Sequence, residues 1–363
     1  MTWSRIQKKY PKTMKYGILT FHNIPNIGAL LQGLALCKSY RKMGIDCDII
    51  DYTCDNIVQR ELTYHQAGNP LKNIVSKFLL WPKAEKKIKA CQQYMRAQNV
   101  YSANMYDRAS IKSANQDYDA FISGSDMIWN LDVTGRDFSF FLDFVEDNKK
   151  RIACGSSIGS AWSESEKPII KEHLQKYEAI AVREADTCDI IKGLGVECQH
   201  ICDPTMLIEP NEWAEQAILP KDKGYVLVYF GYPLILKSAK EYAKKHGLKL
   251  VLMNWGLPKL GQKVVGPNTP PEWMGYFKNA SAVFTDSYHG LLFSLYFKTP
   301  VWTANTGNRI KSLLESLNLT NCFVQNDPSY ENKIEYEACH EGLRKMREHS
   351  LNYIKHTIEL CNK

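Results

Sequence analysis

Short uninterrupted apolar runs alternate along the chain with longer segments whose apolar residues recur at helical spacing. The run Tyr16 to Thr20 leads into the polar stretch His22-Asn23-Ile24-Pro25-Asn26. Gly28 to Leu36 follows at helical spacing, and after the turn at Gly44 comes a second apolar run, Cys47 to Tyr52. Strand, loop, helix and strand in that order predict a βαβ unit with parallel strands. Further runs at Asp119 to Ser123, Arg151 to Ser156, Ala179 to Val182 and His200 to Cys202 each end in small or polar residues. These endings are Gly124-Ser125-Asp126, Gly155-Ser156-Ser157, Arg183-Glu184 and Asp203-Pro204-Thr205. Open α/β sheets bind ligands beyond the carboxyl ends of their strands, so these endings are where chemistry is expected.

A second series starts at Tyr225. Val226 to Phe230 reads as a strand, Lys237 to His246 as a helix closed by Gly247, and Leu248 to Met253 as the next strand. Glu272 to Lys278 predicts a helix, Ser281 to Thr285 a strand, Leu291 to Phe297 an apolar helix, and Pro300 to Ala304 with Ile310 to Leu317 a further strand and helix. The boundary between the two series falls between Met206 and Gly224. Leu71 to Asn99 predicts a lysine-rich helix carrying Phe78, Leu79, Leu80 and Trp81, read either as a solvated amphipathic helix or as a membrane-surface element. No internal repeat of 20 to 50 residues is found.

The length of 363 residues supports two domains. With 44% hydrophobic and 23% charged residues, the composition excludes a disordered or fibrous chain. The net charge of +7 suits an anionic substrate, an acidic membrane surface or nucleic acid and selects none of them. Eleven cysteines without a CxxC pair argue for reduced core thiols and a cytoplasmic setting. Cys198, His200 and Cys202 alternate on one strand, but no fourth ligand follows at finger spacing, so no metal is expected. The basic N-terminus lacks the apolar core of a secretory signal, and no run reaches the roughly 18 apolar residues that a bilayer crossing requires.

The strongest chemical signal is Thr285-Asp286-Ser287-Tyr288-His289-Gly290, between an apolar strand and an apolar helix. Free N–H groups at a helix start favour an anion, and an imidazole there supplies a proton or a charged hydrogen bond; a capping or core role is the alternative. Arg183, after its strand, offers a planar fork for a carboxylate or phosphate, with an ion pair to Glu184 or Asp186 as the competing reading. Arg309 and Lys311 open a helix, where cations are disfavoured unless an anion lies between them. Asn26-Ile27-Gly28-Ala29 looks like a phosphate-cradling turn but lacks the GxGxxG and Walker spacings. Ser125 and Asp126 are read as a hydroxyl donor and a base, or as a helix cap.

Asn26-Ile27-Gly28-Ala29-Leu30-Leu31-Gln32, Gly124-Ser125-Asp126-Met127-Ile128-Trp129-Asn130, Val182-Arg183-Glu184, Asp203-Pro204-Thr205 and the His289 motif occur in an order that resembles the polysaccharide pyruvyl transferase family, over about Lys15 to Val324. The resemblance implies transfer of pyruvate from phosphoenolpyruvate to two hydroxyls of a sugar, forming a cyclic ketal on a bacterial surface polysaccharide or its precursor. It also implies an α/β fold of two Rossmann-like domains facing a cleft, as in GT-B glycosyltransferases. On that pattern 1–14 is a tail, 15–210 the first domain, 211–330 the second, and 331–363 a helical tail returning to the first. Arginine and histidine matching Arg183 and His289 hold or activate phosphoenolpyruvate in the family. Many members carry an arginine where this chain has Ser287.

Protonating the methylene carbon of an enol ether requires an acid, assigned to His289 with Asp286 orienting it. Arg183 and either Lys311 or Arg309 are expected to hold the donor's two anionic groups, and Asp126 to take the hydroxyl proton. Asn26, Gly28, Ser125, Ser287 and Gly290 complete the expected binding set. The expected partners are phosphoenolpyruvate, as a substrate rather than a cofactor, and a sugar acceptor, with a polyprenyl diphosphate as one candidate carrier and peripheral contact with the inner face of the membrane. Nucleic acid is not an expected partner. The alternatives are a glycosyltransferase using a nucleotide sugar, which the donor would distinguish, and a non-catalytic glycan-assembly module.

Overall fold

The computed structural model describes residues 14–63, 70–230, 233–253, 263–331 and 333–362, and within them the side chains of all but 61–63, 70–81, 83 and 84. The first part of the chain runs Lys15–Leu19 (β1), Ile27–Lys42 (α1), Asp46–Tyr52 (β2), Asp55–Thr63 (α2), Pro70–Ala97 (α3), Tyr101–Tyr106 (β3), Ala120–Ser123 (β4), Leu131–Thr134 (α4), Lys150–Ser156 (β5), Lys167–Leu174 (α5), Ala179–Val182 (β6), Ala185–Gly193 (α6) and Gln199–His200 (β7). Its strands form one parallel sheet in the order β3-β2-β1-β4-β5-β6-β7.

Every residue of β4 is buried, because a parallel strand covered on both faces has no polar side to show. The alternating polar sequence of Tyr101–Tyr106 fits its place at the sheet edge, half exposed. Helix α1 starts where the Asn26 side chain accepts the Ala29 amide at 3.4 Å and ends on Arg41 and Lys42, each suited to its end of the helix dipole.

The second part contains Pro210–Gln216 (α7), Tyr225–Tyr229 (β8), Pro233–Lys245 (α8), Lys249–Met253 (β9), Lys263–Val265 (β10), Pro270–Asn279 (α9), Ala282–Thr285 (β11), Tyr288–Tyr296 (α10), Val301–Trp302 (β12), Asn308–Ser316 (α11) and Tyr336–Cys361 (α12). Its sheet is also parallel, in the order β10-β9-β8-β11-β12. Phe284 stacks on Trp302 in its core, with ring centroids 5.1 Å apart.

Packing divides the described chain into two units. Unit 1 takes its residues from 1–84, 92–208 and 346–363, and unit 2 from 85–91 and 209–345. The second half of α12 is thus part of unit 1. There Tyr353 donates its hydroxyl to the Ala153 carbonyl at 2.7 Å, Ser350 accepts the Cys202 amide at 2.9 Å, and Thr357 meets the Tyr40 hydroxyl at 3.1 Å.

Strands β3 and β10 and helices α2, α5 and α7 were not expected from the apolar pattern. Each is short or half exposed, or its apolar residues are few. Among the described residues no helix is long and apolar enough to cross a membrane. The expected membrane-facing side chains Phe78, Leu79, Leu80 and Trp81 lie outside the described side chains. Farther along α3, Lys87 is buried and the Cys91 thiol donates to the Asn268 carbonyl at 3.2 Å, both within unit 2.

Candidate functional site

In unit 1 the order of strands reverses between β1 and β4, and the segments leaving these strands meet at that point. The Ser125 amide donates to the Thr20 hydroxyl at 3.2 Å, and that hydroxyl donates to the Ser125 carbonyl at 3.1 Å. Gly124 is required here because a Cβ would sit 2.2 Å from the Cys154 carbonyl oxygen of the neighbouring strand. Asp126 follows with φ 70°, and its backbone is tied to β5 by the Ser157 amide at 2.9 Å. It caps no helix: its Oδ1 accepts the Met127 amide at 2.9 Å, and α4 is capped by Asn130 instead. The Ser125 hydroxyl is buried and has no protein partner among the described residues. An orphaned buried hydroxyl costs about 1–3 kcal/mol unless a ligand or water satisfies it, which marks the position as a binding candidate.

Arg183 follows β6 and its guanidinium is enclosed by protein oxygens. Its side chain has no solvent exposure, and it pairs with Glu184 Oε1 at 2.9 Å, Asp126 Oδ1 at 3.1 Å and Asp203 Oδ2 at 3.4 Å. Its Nη1 also donates to the Gln32 side-chain oxygen. Burial opposes the charge, but Glu184, Asp126 and Asp203 outweigh it and raise the guanidinium above its ordinary value. The ion pair with Glu184, the competing reading from sequence, is therefore present.

Asn26 is a helix cap, and Gly28 lies buried in the first turn of α1. Cys198 and Cys202 are core thiols, and His200 reaches the Arg183 carbonyl through Nε2 at 3.2 Å.

One strand away, beyond the ends of β1 and β2, a small open recess is lined in part by Phe21, Ile24, Tyr52, Ile57 and Phe140. His22 borders it, buried, with Nδ1 3.1 Å from the Thr20 carbonyl and Nε2 3.1 Å from Asp51 Oδ1.

The corresponding reversal in unit 2 lies between β8 and β11, where Thr285 pairs with Tyr229. Asp286 leaves β11 buried, and its Oδ1 accepts the Ala304 amide at 2.8 Å and the Thr303 hydroxyl at 3.2 Å. Its carbonyl accepts Asn305 Nδ2 at 2.9 Å. The loop that opens α10 is thereby fastened to the loop that opens α11.

His289 stands half-buried in the first turn of α10, edge-on to Tyr288, and the Arg309 guanidinium lies 5.3 Å from the centre of the Tyr288 ring. Ser287 is the helix cap, its hydroxyl oxygen accepting the Gly290 amide at 3.3 Å. Gly290 has a packing reason: a Cβ there would lie 2.7 Å from Thr285 Oγ1, so glycine lets the helix start press against the strand end. Lys311 is exposed and 3.8 Å from Glu315.

The structure thus joins Arg183 to Asp126 in unit 1, and His289 to Arg309 through Tyr288 in unit 2. It adds Gln32, Asp203 and Phe230 to the residues of interest. Gln32 was visible as a lone amide in an apolar helix. Phe230 was not visible: it leaves β8 with φ 53° and a ring 54% exposed, a bulky residue in a backbone region that favours glycine or asparagine.

The family model for polysaccharide pyruvyl transferase matches residues 26–307, well over half of the chain. The chain belongs to the polysaccharide pyruvyl transferase family. No curated protein matches the sequence. Among solved structures, MnaA of S. aureus in co-structure with UDP superposes with a TM-score of 0.52 at 12% identity, covering 96% of this chain and 97% of that one. UDP-GlcNAc 2-epimerase from Neisseria meningitidis, bound to UDP-GlcNAc, gives 0.51 at 9% identity, covering 96% and 94%. At these identities the likeness concerns the fold, which is of the GT-B type. In this pyruvyl transferase family member, two Rossmann-like units therefore each place a polar cluster at the strand reversal of their sheet.

Proposed function

We propose that the protein transfers pyruvate from phosphoenolpyruvate to two hydroxyls of a sugar in a bacterial surface polysaccharide or its precursor, closing a cyclic ketal. The observation that carries this reading is His289 in the first turn of α10, with the start of α11 and its Arg309 fastened alongside by Asp286, in a chain of this family. Two helix starts with an imidazole and a guanidinium suit a dianionic donor, and the imidazolium can deliver a proton to it.

His289 protonates the methylene carbon, and the C=C electron pair forms the new C–H bond. Positive charge develops at C2, which one sugar hydroxyl attacks while Asp126 takes its proton. The C2–O bond to phosphate then breaks and inorganic phosphate leaves with the bonding pair. The second hydroxyl closes the ring at C2 and gives its proton to the departing phosphate. Arg309 and Lys311 balance the donor's charge. A polyprenyl-diphosphate carrier would bring the enzyme to the cytoplasmic face of a membrane as a peripheral protein.

The test incubates the chain with phosphoenolpyruvate and a panel of lipid-linked and nucleotide-linked sugars, followed by mass spectrometry and phosphate assay. The expected result is an acceptor heavier by one pyruvate ketal, with equimolar phosphate. Transfer of a sugar from a nucleotide sugar, with phosphoenolpyruvate ignored, would replace this reading by that of a glycosyltransferase.

A further inference from the structure

We propose that Arg183 is a positioning residue: it holds one oxygen of the Asp126 carboxylate so that the other faces the acceptor hydroxyl, and it takes no substrate anion itself. This role rests on the pyruvyl transfer proposed above. It departs from the anion-holding role that the family resemblance implies for this arginine.

The first argument is enclosure. Nε, Nη1 and Nη2 of Arg183 all face protein oxygens, supplied by Glu184, Gln32, Asp203 and Asp126, and the side chain has no exposure. Three carboxylates around one guanidinium leave the enclosure formally negative, which repels a phosphate or carboxylate. An incoming anion would have to displace a paired carboxylate.

The second argument is the state of Asp126. Oδ1 receives two donors, Arg183 Nη2 at 3.1 Å and the Met127 amide at 2.9 Å. Oδ2 has no protein partner among the described residues, and the side chain keeps 10% exposure, so this oxygen is the one left for solvent or a ligand. The preceding residue in the chain carries the Ser125 hydroxyl, which is buried and has no protein partner among the described residues.

The third argument is anchorage. Asp203 accepts the Thr205 amide at 3.0 Å, Glu184 accepts the Ser157 hydroxyl at 3.0 Å, and His200 reaches the Arg183 carbonyl. The guanidinium is thus fixed from α1, from the end of β6 and from the segment after β7, and Asp126 is a partner whose side chain keeps some exposure to solvent. Preorganisation of this kind places a base without using the positioning cation as a ligand.

The experiment combines equilibrium binding of phosphoenolpyruvate with steady-state transfer for the wild type, Arg183→Lys, Asp126→Asn, the double variant and Gln32→Met. A lysine keeps the charge but cannot reproduce the fork. Positioning predicts phosphoenolpyruvate affinity within about twofold of wild type in every variant and turnover at least tenfold lower in Arg183→Lys. It also predicts less than a twofold further loss when Arg183→Lys is added to Asp126→Asn. Should Arg183→Lys fail to fold, Gln32→Met, which loosens the guanidinium from the opposite side, must still lower turnover with affinity intact. A tenfold or greater fall in phosphoenolpyruvate affinity in Arg183→Lys or Gln32→Met, or losses that multiply in the double variant, would overturn the positioning role. Wild-type protein that binds no phosphoenolpyruvate would instead overturn the underlying reading, and this role with it.

Discussion

Asp286 and Ala304 stand eighteen positions apart in the chain, yet the carboxylate of the first accepts the amide of the second at 2.8 Å. This bond joins the loops that carry His289 and Arg309 and fixes their spacing. Asp286→Ala should cost about 1–3 kcal/mol of unfolding free energy, because the Ala304 amide and Thr303 hydroxyl lose a buried acceptor. It should also weaken phosphoenolpyruvate binding. Chemical denaturation and calorimetric titration measure the two effects; an unchanged affinity in a destabilised variant would show that the staple serves the fold alone.

His289→Gln should retain most of the affinity for phosphoenolpyruvate while lowering turnover on the order of 10²-fold, since an amide can donate a hydrogen bond but cannot protonate carbon. Arg309→Gln should do the reverse, raising the dissociation constant more than it lowers turnover. Normal turnover in the histidine variant would leave the imidazole as a phosphate ligand and move the acid elsewhere.

Phe230 and Phe284 bear comparable rings in contrasting settings. Phe284 is fully buried against Trp302, so Phe284→Ala should cost about 3–5 kcal/mol. Phe230 is exposed and left-handed, with its ring edge-on to Tyr229. Phe230→Gly relieves the backbone while losing that contact, so the net change should stay within about 1 kcal/mol. Thermal melts compare the two directly, and a loss of several kcal/mol at position 230 would refute the reading of an exposed, strained ring.

Burial alone would raise the Asp51 carboxyl, but the hydrogen bonds from His22 and Asn23 and the charge of Arg96 hold it below its ordinary value of 3.8. A carboxyl depressed on folding adds stability that is complete above the unfolded value and lost as pH falls through the folded one. The stability difference between wild type and Asp51→Asn should therefore shrink as pH falls below about 4. Urea midpoints across that range provide the check, and a gap that widened on acidification would contradict the assignment.

The sequence showed β1, β4, β5, β8 and β11 clearly, because a strand buried on both faces is a continuous apolar run. It hid β3 and β10, edge strands that need no apolar face. The His289 motif was legible since its residues are contiguous and lie between a strand and a helix. The surroundings of Arg183 were not: Gln32 is 151 positions away and Asp126 is 57, and only the sheet order brings them together. The Ser287 cap was missed for a subtler reason. A serine before a helix suits an anion site and an N-cap equally, and the hydrogen bond from the Gly290 amide shows that the cap is made.

Because the last turns of α12 fill the core of unit 1, that unit is discontinuous in the chain and encloses the whole of unit 2 between its parts. During synthesis the ribosome completes the sequence of unit 2 before it delivers Ser350, Tyr353 and Thr357 to their partners Cys202, Ala153 and Tyr40. The usual order, in which the N-terminal unit matures first, is therefore inverted: unit 1 must wait until the residues of the second half of α12 have been made. A nascent chain stalled shortly before Met346 would hold a finished second unit and an unfinished first one, with the polar cluster around Arg183 still lacking its final support.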